Sequence, residues 1–217
     1  MSYTLSQSKD DASSPGATES EANVPQNVRN IIDESGEWAP SSFDHRHQFI
    51  ASGVYQLPFF KDSAGLMKAI CGDWRANAIF VAQAGAPFTV NLSVDRANIG
   101  AGPAQRPDQL RSPNLASGDR TPERWFDPSA FALPAQFTFG SAPRNSVLGP
   151  GFANMDFALA KTWTMGSPQL EFRWEIFNLV NRANFDLPNR IFGNPNFGRL
   201  FSAKNPREMQ FGLRLSF

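Results

Sequence analysis

The chain has 217 residues, with 20 basic and 20 acidic side chains and no net charge at pH 7. That balance gives no net field toward nucleic acid or an anionic surface, and a single cysteine, Cys71, excludes an internal disulfide framework or a cysteine-rich zinc site. Charged residues are 18% of the chain, no apolar run is long enough for a transmembrane helix, and residues 1–22 lack the basic and apolar regions of a signal peptide.

Six stretches alternate apolar and polar residues with the period of two that a β-strand requires. The pattern predicts strands at 2–8, 46–57, 69–84, 153–163, 169–177 and 208–217. In the first, Tyr3 and Leu5 share one face. In the second, Phe49, Ala51, Gly53, Tyr55 and Leu57 alternate with Gln48, Ile50, Ser52, Val54 and Gln56. In the third, Trp74, Ala76, Ala78, Phe80 and Ala82 alternate with Asp73, Arg75, Asn77 and Gln83. The fourth sets Met155, Phe157, Leu159 and Trp163 against Asn154, Asp156, Ala158 and Thr162. The fifth sets Leu170, Phe172, Trp174 and Ile176 against Gln169, Glu171, Arg173 and Glu175. The last sets Met209, Phe211, Leu213, Leu215 and Phe217 against Glu208, Gln210, Arg214 and Ser216.

The connections separate a soluble sheet from a membrane barrel. Met165-Gly166-Ser167-Pro168 is a tight turn, and the link from Pro58 to about Lys68 is moderate. The links 9–45, 94–152 and 178–207 are long and rich in Pro, Gly, Asn and Ser. Compact soluble domains seldom carry several structureless loops beyond about 12–15 residues. Outer-membrane barrels alternate short periplasmic turns with long outer loops, and their strands run to about 9–11 residues. Tyr55, Trp74, Trp163 and Phe217 fall near strand ends on the apolar face, where the aromatic girdles of such barrels sit. The fold class is therefore all-β: an antiparallel transmembrane β-barrel segment of about six strands. A secreted or surface β-sandwich with long loops is the alternative, and it requires a second sheet over the apolar face.

Chemistry-bearing clusters are few. His45 and His47, beside Asp44, lack the third ligand a metal needs and read as a polar entry to a strand. Glu171 and Glu175 lie four positions apart on one strand, roughly 13 Å at about 3.3 Å per residue, too far for a glycosidase carboxylate pair. With Arg173 between them they predict an ion-pair ladder. Residues 9–30, rich in Ser, Asp, Glu and Pro, read as a flexible outer loop. No catalytic, cofactor-binding or metal site is expected, and the chain reads as a non-enzyme. The lumen-facing candidates are Arg75, Asn77, Asp156, Glu171, Arg173, Glu175 and Arg214.

The ending Gln210-Phe211-Gly212-Leu213-Arg214-Leu215-Ser216-Phe217 resembles the terminal strand of outer-membrane barrels. Further blocks are similar, in order, to those of Oar-like TonB-dependent transporters. They are Phe43-Asp44-His45-Arg46-His47, Gly85-Ala86-Pro87-Phe88, Asn145-Ser146-Val147-Leu148-Gly149-Pro150-Gly151, the run from Phe172 to Asn181, and Pro195-Asn196-Phe197-Gly198. The resemblance implies the last six strands of a plugged barrel of about 22 strands, with the plug, the TonB box and the N-terminal domains absent. It implies an outer-membrane location, uptake of a scarce solute, and a fragment inactive alone. Implied partners are outer-membrane lipid, the barrel-assembly machinery reading Phe211, Leu213, Leu215 and Phe217, and the TonB complex through the missing N-terminal part. No cofactor and no nucleic acid are implied.

Overall fold

Period-two patterning becomes one six-stranded antiparallel sheet in the computed structural model, which describes residues 1–11, 36–60, 62–100, 105–164 and 168–217. Strands β1 (Ser2–Leu5), β2 (His47–Gln56), β3 (Trp74–Gln83), β4 (Phe152–Thr164), β5 (Gln169–Phe177) and β6 (Glu208–Ser216) pair in chain order. Opposed residues share a face in such a ladder. Phe80 stands between Ala51 and Met155, Leu159 between Ala76 and Trp174, and Phe172 between Lys161 and Leu213. One-residue slips would mix the faces, so the apolar pattern fixes the register. Phe172 and Trp174 each stack on Phe211, joining β5 to β6 through their rings.

The other face carries the polar positions, but unevenly. Ile50 faces Val81, and Ser52 faces Ile79, so the polar side of β2 and β3 includes an aliphatic patch. Charges concentrate on β4 to β6. Among the described residues no second large sheet covers either face. No helix is long and apolar enough to cross a membrane among them. Among the described residues nothing pairs with the sheet's two edges, β1 and β6. In lipid such edges must be paired, because each unsatisfied backbone group there costs several kcal/mol.

Long links leave one end of the sheet and short links the other, as the spacing predicted. Three details differ from the sequence reading, and a fourth lies outside the described residues. The first strand ends at Leu5, and Ser8 turns away where its N–H meets Asp44 Oδ1 at 3.0 Å. The third starts at Trp74, because residues Gly65–Cys71 form helix α1. Its apolar run, Leu66-Met67 and Ala69-Ile70, obeys helical spacing as well as a strand's. The tight turn at 165–167 and most of the segment 9–30 lie outside the described residues. The described parts of the long links, expected to be structureless, fold into a cap with its own core.

Phe88, Val90, Phe126, Ala130, Phe131, Ala142 and Val147 are buried in that cap, with Trp125, Leu187, Phe192 and Phe197 packed against them. Phe126 is the hub: its ring lies 5.9 Å from Phe88, 6.0 Å from Phe131 and 5.0 Å from Phe197, each edge to face. Short ladders tie the loops together, Pro87–Phe88 to Val147–Leu148 and Asn91–Leu92 to Ile191–Phe192. Asparagines replace missing backbone partners. Asn184 Oδ1 accepts from Ala153 N at 2.9 Å and its Nδ2 donates to Ala153 O at 3.0 Å, copying a strand pairing with an amide side chain. Asn145, Asn178 and Asn181 take positive φ, a conformation Asn tolerates better than other side chains. Gly85 lies so close to Gly149 that a Cβ would meet its carbonyl oxygen at 1.9 Å.

At the opposite end the register places Lys161 on the apolar face, between Trp74 and Phe172. It is only 3% exposed. Helix α1 covers it: Lys161 Nζ donates to Lys68 O at 3.1 Å and to Gly72 O, and lies over the rings of Trp74 and Trp163. A cation is favourable there, at the negative end of the helix.

Candidate functional site

The polar face of β3 to β6 is the candidate site. Its residues come together because strand positions two apart share a face and neighbouring strands lie about 5 Å apart. Arg173 Nε sits 3.3 Å from Glu171 Oε1 and its Nη1 3.8 Å from Glu175 Oε1, which is the predicted ladder along β5. On β6, Arg214 stands opposite Glu171, and Gln210 Nε2 donates to Glu175 Oε2 at 2.6 Å. The ladder thus runs onto the next strand. Its Arg173 side chain is about half exposed, so these pairs contribute at most about 1 kcal/mol to stability. They present alternating charge along this face and add little to holding the sheet.

Between the β3 and β5 columns the face is lined by small residues, Ala158 and Ala160 of β4. Asn77, Asp156, Arg173 and Glu175 wall a groove of about 300 Å³ over Ala158. Arg75 lies apart from these, beside Gln56, Ala160 and Thr162. The groove continues toward the cap, where Asn154, Asp156, Asn178, Asn205 and Glu208 line a cleft of about 430 Å³ with Phe152 and Phe177. Asp156 joins the two: its Oδ1 accepts from Asn154 Nδ2 at 2.8 Å and Asn178 N at 3.0 Å. A chain of carboxylates and amides with aromatic walls can bind a polar solute through hydrogen bonds.

All seven sequence-selected polar residues therefore fall on one face, and Phe211, Leu213 and Leu215 fall on the other. Phe217 follows the end of β6 and is exposed. The two histidines serve separate contacts: His45 Nδ1 donates to Ala84 O at 2.8 Å, and His47 Nδ1 hydrogen-bonds the Tyr3 hydroxyl at 2.8 Å. Sequence reasoning missed Asn178, Asn205 and Glu208 as cleft residues. The signal available was their position where strands meet a long Asn-rich link.

In the cap, Asp127 accepts from Ser129 Oγ at 2.7 Å and from Arg111 Nη2 at 2.7 Å. The Ser129 hydroxyl first, and Arg111 after it, draw its pKa down to about 2. A carboxylate with a lowered folded-state pKa stabilises the fold above its unfolded value, about 3.9, and loses that contribution as pH falls toward the folded one. The loop 111–130 should keep its order from neutral pH to about 4 and loosen between about 4 and 2. Amide exchange of Ser129 and Ala130 against pH checks this, and Asp127→Asn should flatten the profile. An equal profile in the variant would mean another group sets it.

A family model described as "Outer membrane beta barrel domain" matches residues 1–210. No curated relative and no solved structure matches the chain.

Proposed function

Since the chain belongs to the outer membrane β-barrel family, and so lies in the outer membrane as part of a barrel wall, we propose that it forms a sector of an Oar-like TonB-dependent transporter that takes up a scarce solute. The observation that carries this reading is the two-sided sheet with its folded cap. One face is apolar from Phe49 across to Leu213, and the other holds Arg75, Asn77, Asp156, Glu171, Arg173, Glu175 and Arg214. In such a wall the apolar face meets lipid and the charged face meets the lumen.

The end bearing the long links is then the outer mouth, and the end with α1 and the short link between β4 and β5 is periplasmic. The cap rests over the mouth and the polar groove runs down from the cleft beneath it. A plug inside the barrel would meet the Glu171–Arg173–Glu175 ladder, whose charges suit a surface that must release as well as hold. Solute contacts fall to Asp156, Asn178, Asn205 and Glu208, where groove and cleft meet. Both free edges, β1 and β6, are paired with further strands in the closed wall, and Phe211, Leu213, Leu215 and Phe217 present the terminal signal to the assembly machinery. The wall carries no catalysis.

The test is uptake by cells producing the barrel that contains this chain, with and without TonB. Energised import that vanishes without TonB supports the reading. Passive conductance through the barrel, unchanged when TonB is removed, would show an open pore instead and end the transporter proposal.

A further inference from the structure

We propose that helix α1, with Phe59 and Phe60 before it, is a membrane anchor that lies in the periplasmic leaflet against the outside of the barrel; this rests on the apolar face being the lipid-facing one. The first observation is how the helix is held. Four hydrogen bonds from side chains of the apolar face end on its last turn and cap. Trp74 Nε1 donates to Ile70 O at 3.0 Å, Trp163 Nε1 to Ala69 O at 2.6 Å, and Lys161 Nζ to Lys68 O at 3.1 Å and to Gly72 O. A helix leaves its last carbonyls without internal partners. Gly72 N–H closes on Lys68 O at 2.9 Å, and β3 and β4 add donors to this carbonyl and to those of Ala69, Ile70 and Gly72, one of them a cation at the negative pole. Seven residues do not hold a helix alone, so this latch specifies where it lies: across the apolar face, at the periplasmic rim.

The second observation is what the helix does with its own side chains. None is buried. Leu66, Met67 and Ile70 occupy one side of the helix and are 75%, 54% and 56% exposed, and Phe59 and Phe60, in the link before it, are exposed as well. The strands hold the helix by its backbone and leave its apolar side turned outward. That surface is continuous with the apolar band, at the level where Trp74 and Trp163 mark the aromatic girdle. Lys68 is its one charged side chain and is long enough to reach headgroups. Amphipathic helices with this division lie in the plane of the interface with the apolar side in the acyl boundary. Lipid is therefore the occupant that fits, because it already covers the face on which the helix is pinned.

The experiment places a spin label at Leu66→Cys or Ile70→Cys in a Cys71→Ser background. Met155→Cys, on the apolar face of β4 opposite Phe80, is the control. The complete barrel is held in nanodiscs of palmitoyl-oleoyl phosphatidylethanolamine and phosphatidylglycerol. Labels at 66 and 70 are expected to be open to oxygen and shielded from a nickel chelate, as at 155. Labels at 66 and 70 open to the chelate, with 155 still in lipid, would place the helix in water and overturn the anchor alone. Shielding from both reagents would mean that protein covers the helix, which also overturns it. Chelate access at 155 would defeat the lipid-facing assignment itself, and the anchor with it.

Discussion

Phe126→Ala is expected to melt the loop cap at a cost of about 3–5 kcal/mol while the six-stranded sheet stays paired. The magnitude follows from what the ring touches. Phe126 is 1% exposed and sits among Phe88, Phe131 and Phe197, which come from three separate stretches of two loops. Removing it empties the centre of the cluster, and edge-to-face pairs add roughly 0.5–1.5 kcal/mol each beyond burial. The surrounding backbone cannot collapse easily, since Pro122, Pro128 and the tight contact at Gly198 hold it. The sheet is spared because its ladders and its stacked rings, Phe172 and Trp174 on Phe211, lie elsewhere. Hydrogen exchange separates the two: fast amides at 88–92, 125–131 and 147–148, unchanged protection in β3 to β5. If cap amides stay protected in the variant, the cluster is not what orders the loops.

The same contrast explains what the sequence discloses and what it conceals. A strand writes its two faces into adjacent positions, so Glu171, Arg173 and Glu175 are legible as one ladder from their spacing alone. Register follows once the apolar sets are aligned. The cap core has no such period. Phe88, Phe126, Phe131 and Phe197 are single anchors in Pro-rich and Asn-rich segments, brought together by turns whose geometry depends on Asn145, Asn178 and Gly85. Helix α1 is hidden because a short apolar run suits a strand or a helix equally, and its position comes from partners outside the run. Lys161 breaks the alternation of β4, and only the carbonyls of a segment about 90 residues earlier make a cation acceptable there. The blocks that carry the family resemblance are largely these latches. Asn145 is buried in the cap, Gly85 and Gly149 touch, and Asn178 holds the top of β5.

Glu37→Ala is expected to detach the first long link from the cap, with a loss of about 3–5 kcal/mol. Glu37 and Arg106 form an ion pair in which each side chain is 1% exposed. Arg144, equally buried, donates to Glu37 O at 3.2 Å and pairs with Asp10. Two guanidinium groups of the second link thus grip two acidic residues of the first. Taking away the carboxylate breaks an ion pair in a dry site, which costs far more than breaking a surface pair would. Replacing both partners with apolar residues of similar size, Glu37→Leu with Arg106→Met, should recover most of the loss, because both halves of the buried pair are then removed together. Denaturant midpoints of the single and double variants, with protease cleavage near residue 37 as the local readout, decide between charge and packing. A double variant as unstable as the single one would show that shape and hydrogen-bond geometry join the links. Recovery would show that the clamp stabilises little in net terms and serves instead to fix which loop lies against which over the mouth of the barrel.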